Sequence, residues 1–182
     1  MESNISLDRI MQRAKDVMSF NTRTYNEIIR DPGATGEAAI IVATVAIAGG
    51  LGWLFDGPGA LIGGVIGMLL GWVISAAIIY FVGTRITAEG ESGASVERVM
   101  RIVGYAAVPN VFQFLTSIWF IGGIIGTGLW LWTLATMTLA IRAAFGLSTG
   151  RAFATGIIAW IASLIAFGIF GVIFNVSLKL PF

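Results

Sequence analysis

The basic residues of this chain are sorted by position. Five apolar stretches lie between Ala38 and Phe174. Laid out as five membrane crossings, the segments facing one side carry Arg9, Arg13, Lys15, Arg23, Arg30, Arg85, Arg98, Arg101, Arg142 and Arg151. The segments facing the other side carry Lys179 alone. Cytoplasmic loops of membrane proteins are enriched in Lys and Arg, so this split predicts both the number of crossings and their direction. Composition agrees. The chain is 57% hydrophobic and 12% charged, half the roughly 25% charge of soluble domains. The expectation is an all-α polytopic membrane helix bundle with five transmembrane helices, its N-terminus inside and its C-terminus outside.

The crossings are read as Ala38 to Phe55, Ala60 to Val82, Val99 to Phe120, Ile121 to Ala140 and Ala152 to Phe174. The apolar run from Val99 to Ala140 is too long for one helix. A break at Gly122-Gly123 divides it, and two crossings return Arg142 and Arg151 to the basic side. The chain then divides into a cytoplasmic N-terminal segment (1–36), a five-helix transmembrane domain (37–175) and a short outer tail (176–182). The polar start argues against a cleaved signal and for a first crossing that serves as an anchor.

In the N-terminal segment, Leu7, Ile10, Met11, Ala14, Val17 and Met18 recur at helical spacing opposite Asp8, Arg9, Arg13, Lys15 and Asp16. That pattern predicts an amphipathic helix, placed at the headgroup interface or against the protein's own loops. Thr24 to Glu27 fits a capping box for a second short helix, which Asp31-Pro32-Gly33 ends. Glu37 opens the first crossing, where a helix N-terminus favours negative charge. Ser95 is the expected cap of the third. Trp53, Tyr80 and Trp119 lie near crossing ends and, with Leu7, Ile10 and Met11, make the expected interfacial set. Trp72, Trp130, Trp132 and Trp160 lie deeper.

Two constellations could carry function. Gly59, Gly63, Gly67 and Gly71 repeat every four residues and Ser75 extends the row. Small residues at this spacing let helix backbones approach closely, either within the chain or against another copy. In the third crossing Asn110, Gln113 and Ser117 share a helical face behind a kink at Pro109, with Tyr105 one turn before. That face is either a polar pocket or a set of interhelical hydrogen bonds.

Chemistry is otherwise sparse. Without Cys or His there are no thiol nucleophiles, Cys/His zinc sites or imidazole bases. No Asp, Glu or Lys falls at the middle of a crossing, which argues against ion-coupled transport. A net charge of +1 with no basic stripe argues against nucleic-acid binding. No catalytic residue, metal or cofactor is expected, beyond a bound lipid.

Several strings in order resemble the prokaryotic branch of the Yip1 domain family. They are Tyr25-Asn26-Glu27-Ile28-Ile29-Arg30-Asp31-Pro32-Gly33-Ala34-Thr35-Gly36, then Gly104-Tyr105-Ala106-Ala107-Val108-Pro109, the glycine pair at Gly122 and Gly123, Ile141-Arg142, and Leu147-Ser148-Thr149. The resemblance covers roughly residues 20 to 175. It implies a five-span protein of a prokaryotic cytoplasmic membrane with a cytoplasmic N-terminus. In eukaryotes, members of that family act in vesicle trafficking and associate with Rab-type GTPases and with one another. This chain lacks the Asp-Leu-Tyr-Gly-Pro string of those relatives, which argues against GTPase binding. The functional expectation is a non-enzymatic scaffold or accessory subunit. Its partners would be membrane lipids, other membrane proteins or a second copy. The alternatives are a small-molecule facilitator and a membrane-shaping or trafficking-like protein.

Overall fold

Two short helices precede the long apolar ones, and both are defined by their ends. The computed structural model describes residues 6–50, 58–87 and 93–178, and every regular element among them is helical. Helix α1 (Leu7–Met18) closes with Phe20 in the left-handed region at φ 61°. The Phe20 and Asn21 N–H groups bond back to the Val17 and Asp16 carbonyls, a closure that glycine usually supplies. Helix α2 (Thr22–Arg30) begins at once, its Asn21 side chain accepting from the Arg23 N–H at 3.2 Å.

The expected capping box at Thr24 does not form, because Asn21 is an equally good cap and starts the helix earlier. Thr24 is buried inside α2 and donates to Asp16 Oδ2 at 3.2 Å. At the other end the Asp31 side chain accepts from the Gly33 N–H at 2.9 Å. The chain then turns by 117° into α3 (Ala34–Gly49).

Helix α4 (Pro58–Val82) runs into a single π-helical turn (Gly83–Thr87). Helix α5 (Val96–Ala106) starts at Ser95, whose side chain accepts from the Arg98 N–H at 3.3 Å, as its sequence predicts. Here the third crossing departs from expectation. Pro109 does not kink an α-helix; α5 stops at Ala106 and a 3-10 helix (Val108–Ser117) takes over. Pro109 falls in its first turn, where a missing N–H is harmless. The chain then breaks before α6 (Gly122–Phe145), and α7 (Thr149–Leu178) follows. The break lies where the glycine pair predicts it. A Cβ on Gly122 would land on the Thr116 carbonyl oxygen, so no other residue fits that reversal.

Three helical stretches are long and apolar enough to cross a bilayer: Ile62–Thr87, Gly122–Phe145 and Thr149–Ile169. Helices α2 and α3 pass the same test only when joined across their bend, and would make a fourth if the two count as one span. Only 17–28% of the residues in the apolar windows of the first three are buried inside the chain. The outward residues include Leu70, Leu164 and Ile165, each more than half exposed. Apolar side chains on both faces suit helices solvated by lipid.

Inside the bundle, α3 packs on α4, α5 and the 3-10 helix, α6 on α5, the 3-10 helix and α7, and α4 on α7. Ile10, Val17, Tyr25 and Ile28 from α1 and α2 share one core with Ile41, Ile102 and Ile141. The polar start of the chain is therefore built into the bundle.

Candidate functional site

Two polar sites lie inside this apolar frame. The first gathers on Glu37, whose side chain is fully buried. Arg9 and Arg13 lie one helical turn apart on α1, so both reach the same carboxylate. Arg9 donates from Nε to Oε1 at 2.6 Å, and Arg13 donates from Nη1 to Oε2 at 2.7 Å. The buried Tyr105 hydroxyl donates to Oε2 as well. Arg13 also pairs with Asp31 at 2.8 Å. Two cations thus meet two anions. Arg101, beside them, donates to Thr35 Oγ1 at 2.8 Å and to the Ile29 carbonyl at 3.0 Å.

Partial burial works against the charge on Asp31, but the bond from Arg13, the Gly33 N–H and the charges of Arg13 and Arg9 outweigh it. They hold the carboxyl below its ordinary pKa. Burial likewise opposes the charge on Arg13, and its bonds to Asp31 and Glu37 reverse that effect, raising its pKa above the ordinary value.

This cluster lies well within the bundle. The Thr136 hydroxyl donates to the Ala106 carbonyl at 2.8 Å, which puts Tyr105 near the height of Thr136. A buried carboxylate keeps its charge only when it is paired and hydrogen-bonded, and Glu37 is both. The charge pattern of the sequence treats Arg9 and Arg13 as markers of orientation. The usable signal was their spacing of four residues, facing the one acidic residue at the entry to an apolar run.

The second site is a cavity of about 450 Å³ between the 3-10 helix, α6 and α7. Asn110, Gln113 and Thr116 line it from the 3-10 helix, and Thr133, Thr138 and Trp130 from α6. The Thr133 hydroxyl donates to Asn110 Oδ1 at 3.1 Å. Helical spacing had grouped Asn110 and Gln113 with Ser117. A 3-10 helix has three residues per turn, so Thr116 takes that place and the exposed Ser117 does not line the cavity. Tyr105, grouped with them in the sequence, belongs instead to Glu37. Pro109 is buried and also outside the lining.

The glycine row is open rather than packed along most of its length. Among the described residues, a Cβ on Gly59, Gly63 or Gly67 would meet nothing within 4 Å, and one on Gly71 would make ordinary contact with Phe167. Ser75 is half-buried further along. The chain's own close approaches fall elsewhere: a Cβ on Gly104 would sit 2.7 Å from that of Ala38, where α5 crosses α3.

Of the interfacial set, Leu7 and Met11 are exposed, Ile10 is buried, Tyr80 packs against the core and Trp119 is 98% exposed. Trp53 lies outside the described residues. Two deeper indoles tie elements together: Trp72 donates to the Met100 carbonyl at 3.0 Å, and Trp132 to the Met18 carbonyl at 3.0 Å.

Helices of this length and polarity, apolar on the outside and sealed by buried polar bonds, define an integral membrane protein. The chain belongs to the Yip1 domain family, whose model matches residues 15–170. Comparison with curated proteins and with solved structures found no match.

Proposed function

We propose that this is a non-enzymatic membrane protein that works by helix association, as a scaffold or accessory subunit of a membrane assembly. The observation that carries this reading is the open face of α4. Gly59, Gly63 and Gly67 have room beside them, and Ile62 and Ile66 next to them are 60% and 53% exposed. Close backbone approach by a second helix would gain dispersion contacts there, which drive association in lipid. The partner is another membrane protein or a second copy of this chain. Gly67→Leu tests it. The fold has space for the new side chain, so thermal stability should hold while the assembly recovered in mild detergent shrinks. An unchanged assembly size in the variant would sink the proposal.

The proposed topology has five crossings in a prokaryotic cytoplasmic membrane, with the N-terminus inside. Laid end to end, helix α5 and the 3-10 helix would reach about 36 Å at their respective rises, the length that one crossing needs. Reporter fusions at Glu91 and at the C-terminus should label opposite sides; the same side for both rules the topology out.

A second reading, a facilitator for a small uncharged solute, is supported by the cavity at Asn110. Proteoliposomes should then show flux that Asn110→Leu abolishes. A broad panel of solutes with no flux would remove that support.

A further inference from the structure

The cavity beside the 3-10 helix carries an inference that does not depend on association through α4. Its height matters first. Thr133 lies about 17 Å from the start of α6 and about 18 Å from its end, at 1.5 Å per residue. Its hydroxyl and the Asn110 carboxamide it bonds therefore lie midway along a helix long and apolar enough to cross a bilayer. Trp130 and Trp160 line the cavity and are 53% and 54% exposed. Half of each indole faces outward, so the cavity opens towards lipid.

The donor inventory then narrows the ligand. Each threonine hydroxyl hydrogen around the cavity is already committed. Thr116 donates to the Gln113 carbonyl at 2.7 Å, Thr133 to Asn110 Oδ1 at 3.1 Å, and Thr138 to the Leu134 carbonyl at 2.8 Å. The carboxamide N–H groups of Asn110 and Gln113 have no acceptor among the described residues. An amide that faces lipid without a partner loses the hydrogen bonds it makes in water, so an acceptor on a ligand is favoured there. Among the described residues, no Lys, Arg, Asp or Glu lines the cavity.

We infer that this cavity binds an uncharged lipid that brings a carbonyl oxygen into it, where Asn110 Nδ2 or Gln113 Nε2 donates to that oxygen. A hydrocarbon chain alone would leave both carboxamides unpaired. A phosphate head would be desolvated with no cation to meet it. A cavity of about 450 Å³ holds a ring or an ester group, and the hydrocarbon tail leaves past the half-exposed indoles. Two kinds of lipid share this chemistry: a quinone with an isoprenoid-like tail and a diacylglycerol.

The test uses the full chain in phosphatidylcholine nanodiscs. A decyl-substituted benzoquinone is titrated in while tryptophan fluorescence is followed, with dioctanoylglycerol as the competing probe. Saturable quenching is expected, and Trp130→Phe should remove a large share of it. Gln113→Leu should weaken binding at least tenfold at unchanged thermal stability, because the Gln113 side chain has no bond within the chain to lose. Quenching that dioctanoylglycerol reverses supports a site for the whole carbonyl class; quenching it leaves intact assigns the site to the quinone ring. Saturable thermal stabilisation by dioctanoylglycerol, without quenching by the quinone, assigns it to the ester. The inference is overturned if neither probe binds saturably, if Gln113→Leu and Asn110→Leu both bind as the parent does, or if phosphatidic acid competes as well as the neutral probes.

Discussion

Replacing Glu37 by Gln keeps the shape of the side chain and removes its charge. Arg9 and Arg13 then lose their shared anion, and Arg13 retains only Asp31. Breaking a buried ion pair by removing one partner costs about 3–5 kcal/mol. Glu37 is fully buried, whereas the Arg9 side chain is 37% exposed and can turn to water. That relief puts the expected loss near the lower end, about 3 kcal/mol. The loss is local, because the cluster joins α1 to the entry of α3. Limited proteolysis of the chain in detergent should therefore cut after Arg9 or Arg13 in the variant well before any cut in α6 or α7. Arg13→Gln combined with Glu37→Gln removes both members of one pair. The double variant should be more stable than the sum of the two single losses implies, by at least about 1.5 kcal/mol of coupling. Equal cleavage rates for parent and Glu37→Gln, or strictly additive losses in the cycle, would refute the account of α1 as held by charge.

Three further outcomes follow from other contacts. Gly122→Ala should destabilise the chain by about 3 kcal/mol, the upper end for overpacking, since its methyl meets a backbone carbonyl; a melting temperature equal to the parent's would contradict the close approach. The Asp31 carboxyl is held below its ordinary pKa, so its pairing with Arg13 stabilises the fold at neutral pH and is lost as pH falls through the depressed value. Protease sensitivity of α1 should rise in acid, and Asp31→Asn should make α1 as sensitive at neutral pH as the parent is in acid. A pH response unchanged by Asp31→Asn would assign the effect to another group. Trp132→Phe keeps the ring contact with Phe112 but removes the bond to the Met18 carbonyl; a loss of about 1 kcal/mol is expected, read as earlier proteolysis at the end of α1.

Some ends of the elements were legible in the sequence because they are local chemistry, although Asn21 took the cap expected of Thr24 and α5 stopped early at Ala106. Ser95 caps α5, Asp31 ends α2 and the glycine pair divides the third run, each through bonds within a few residues. The cavity was half legible. Asn110 and Gln113 were visible as polar residues in an apolar run, but grouping them with Ser117 assumed 3.6 residues per turn. The backbone changes helix type after Ala106, and that change swaps Ser117 for Thr116. The Glu37 cluster was hidden for a different reason. Its partners lie 28, 24 and 68 residues away, and periodicity carries no information on how α1 folds back. The glycine row lies on an open face, while the tightest approaches among the described glycines fall on Gly122, Gly83 and Gly104.

The order of synthesis gives the Glu37 cluster a timetable. Arg9 and Arg13 leave the ribosome before Glu37, so partners for its charge are already made when α3 emerges. Tyr105 follows Glu37 by 68 residues, about 3–14 s later at 5–20 residues per second. Until then Glu37 Oε2 has Arg13 as its donor but not the phenol. The arrival of α5 adds that last donor, so the N-terminal helices are fully secured only once α5 is in place.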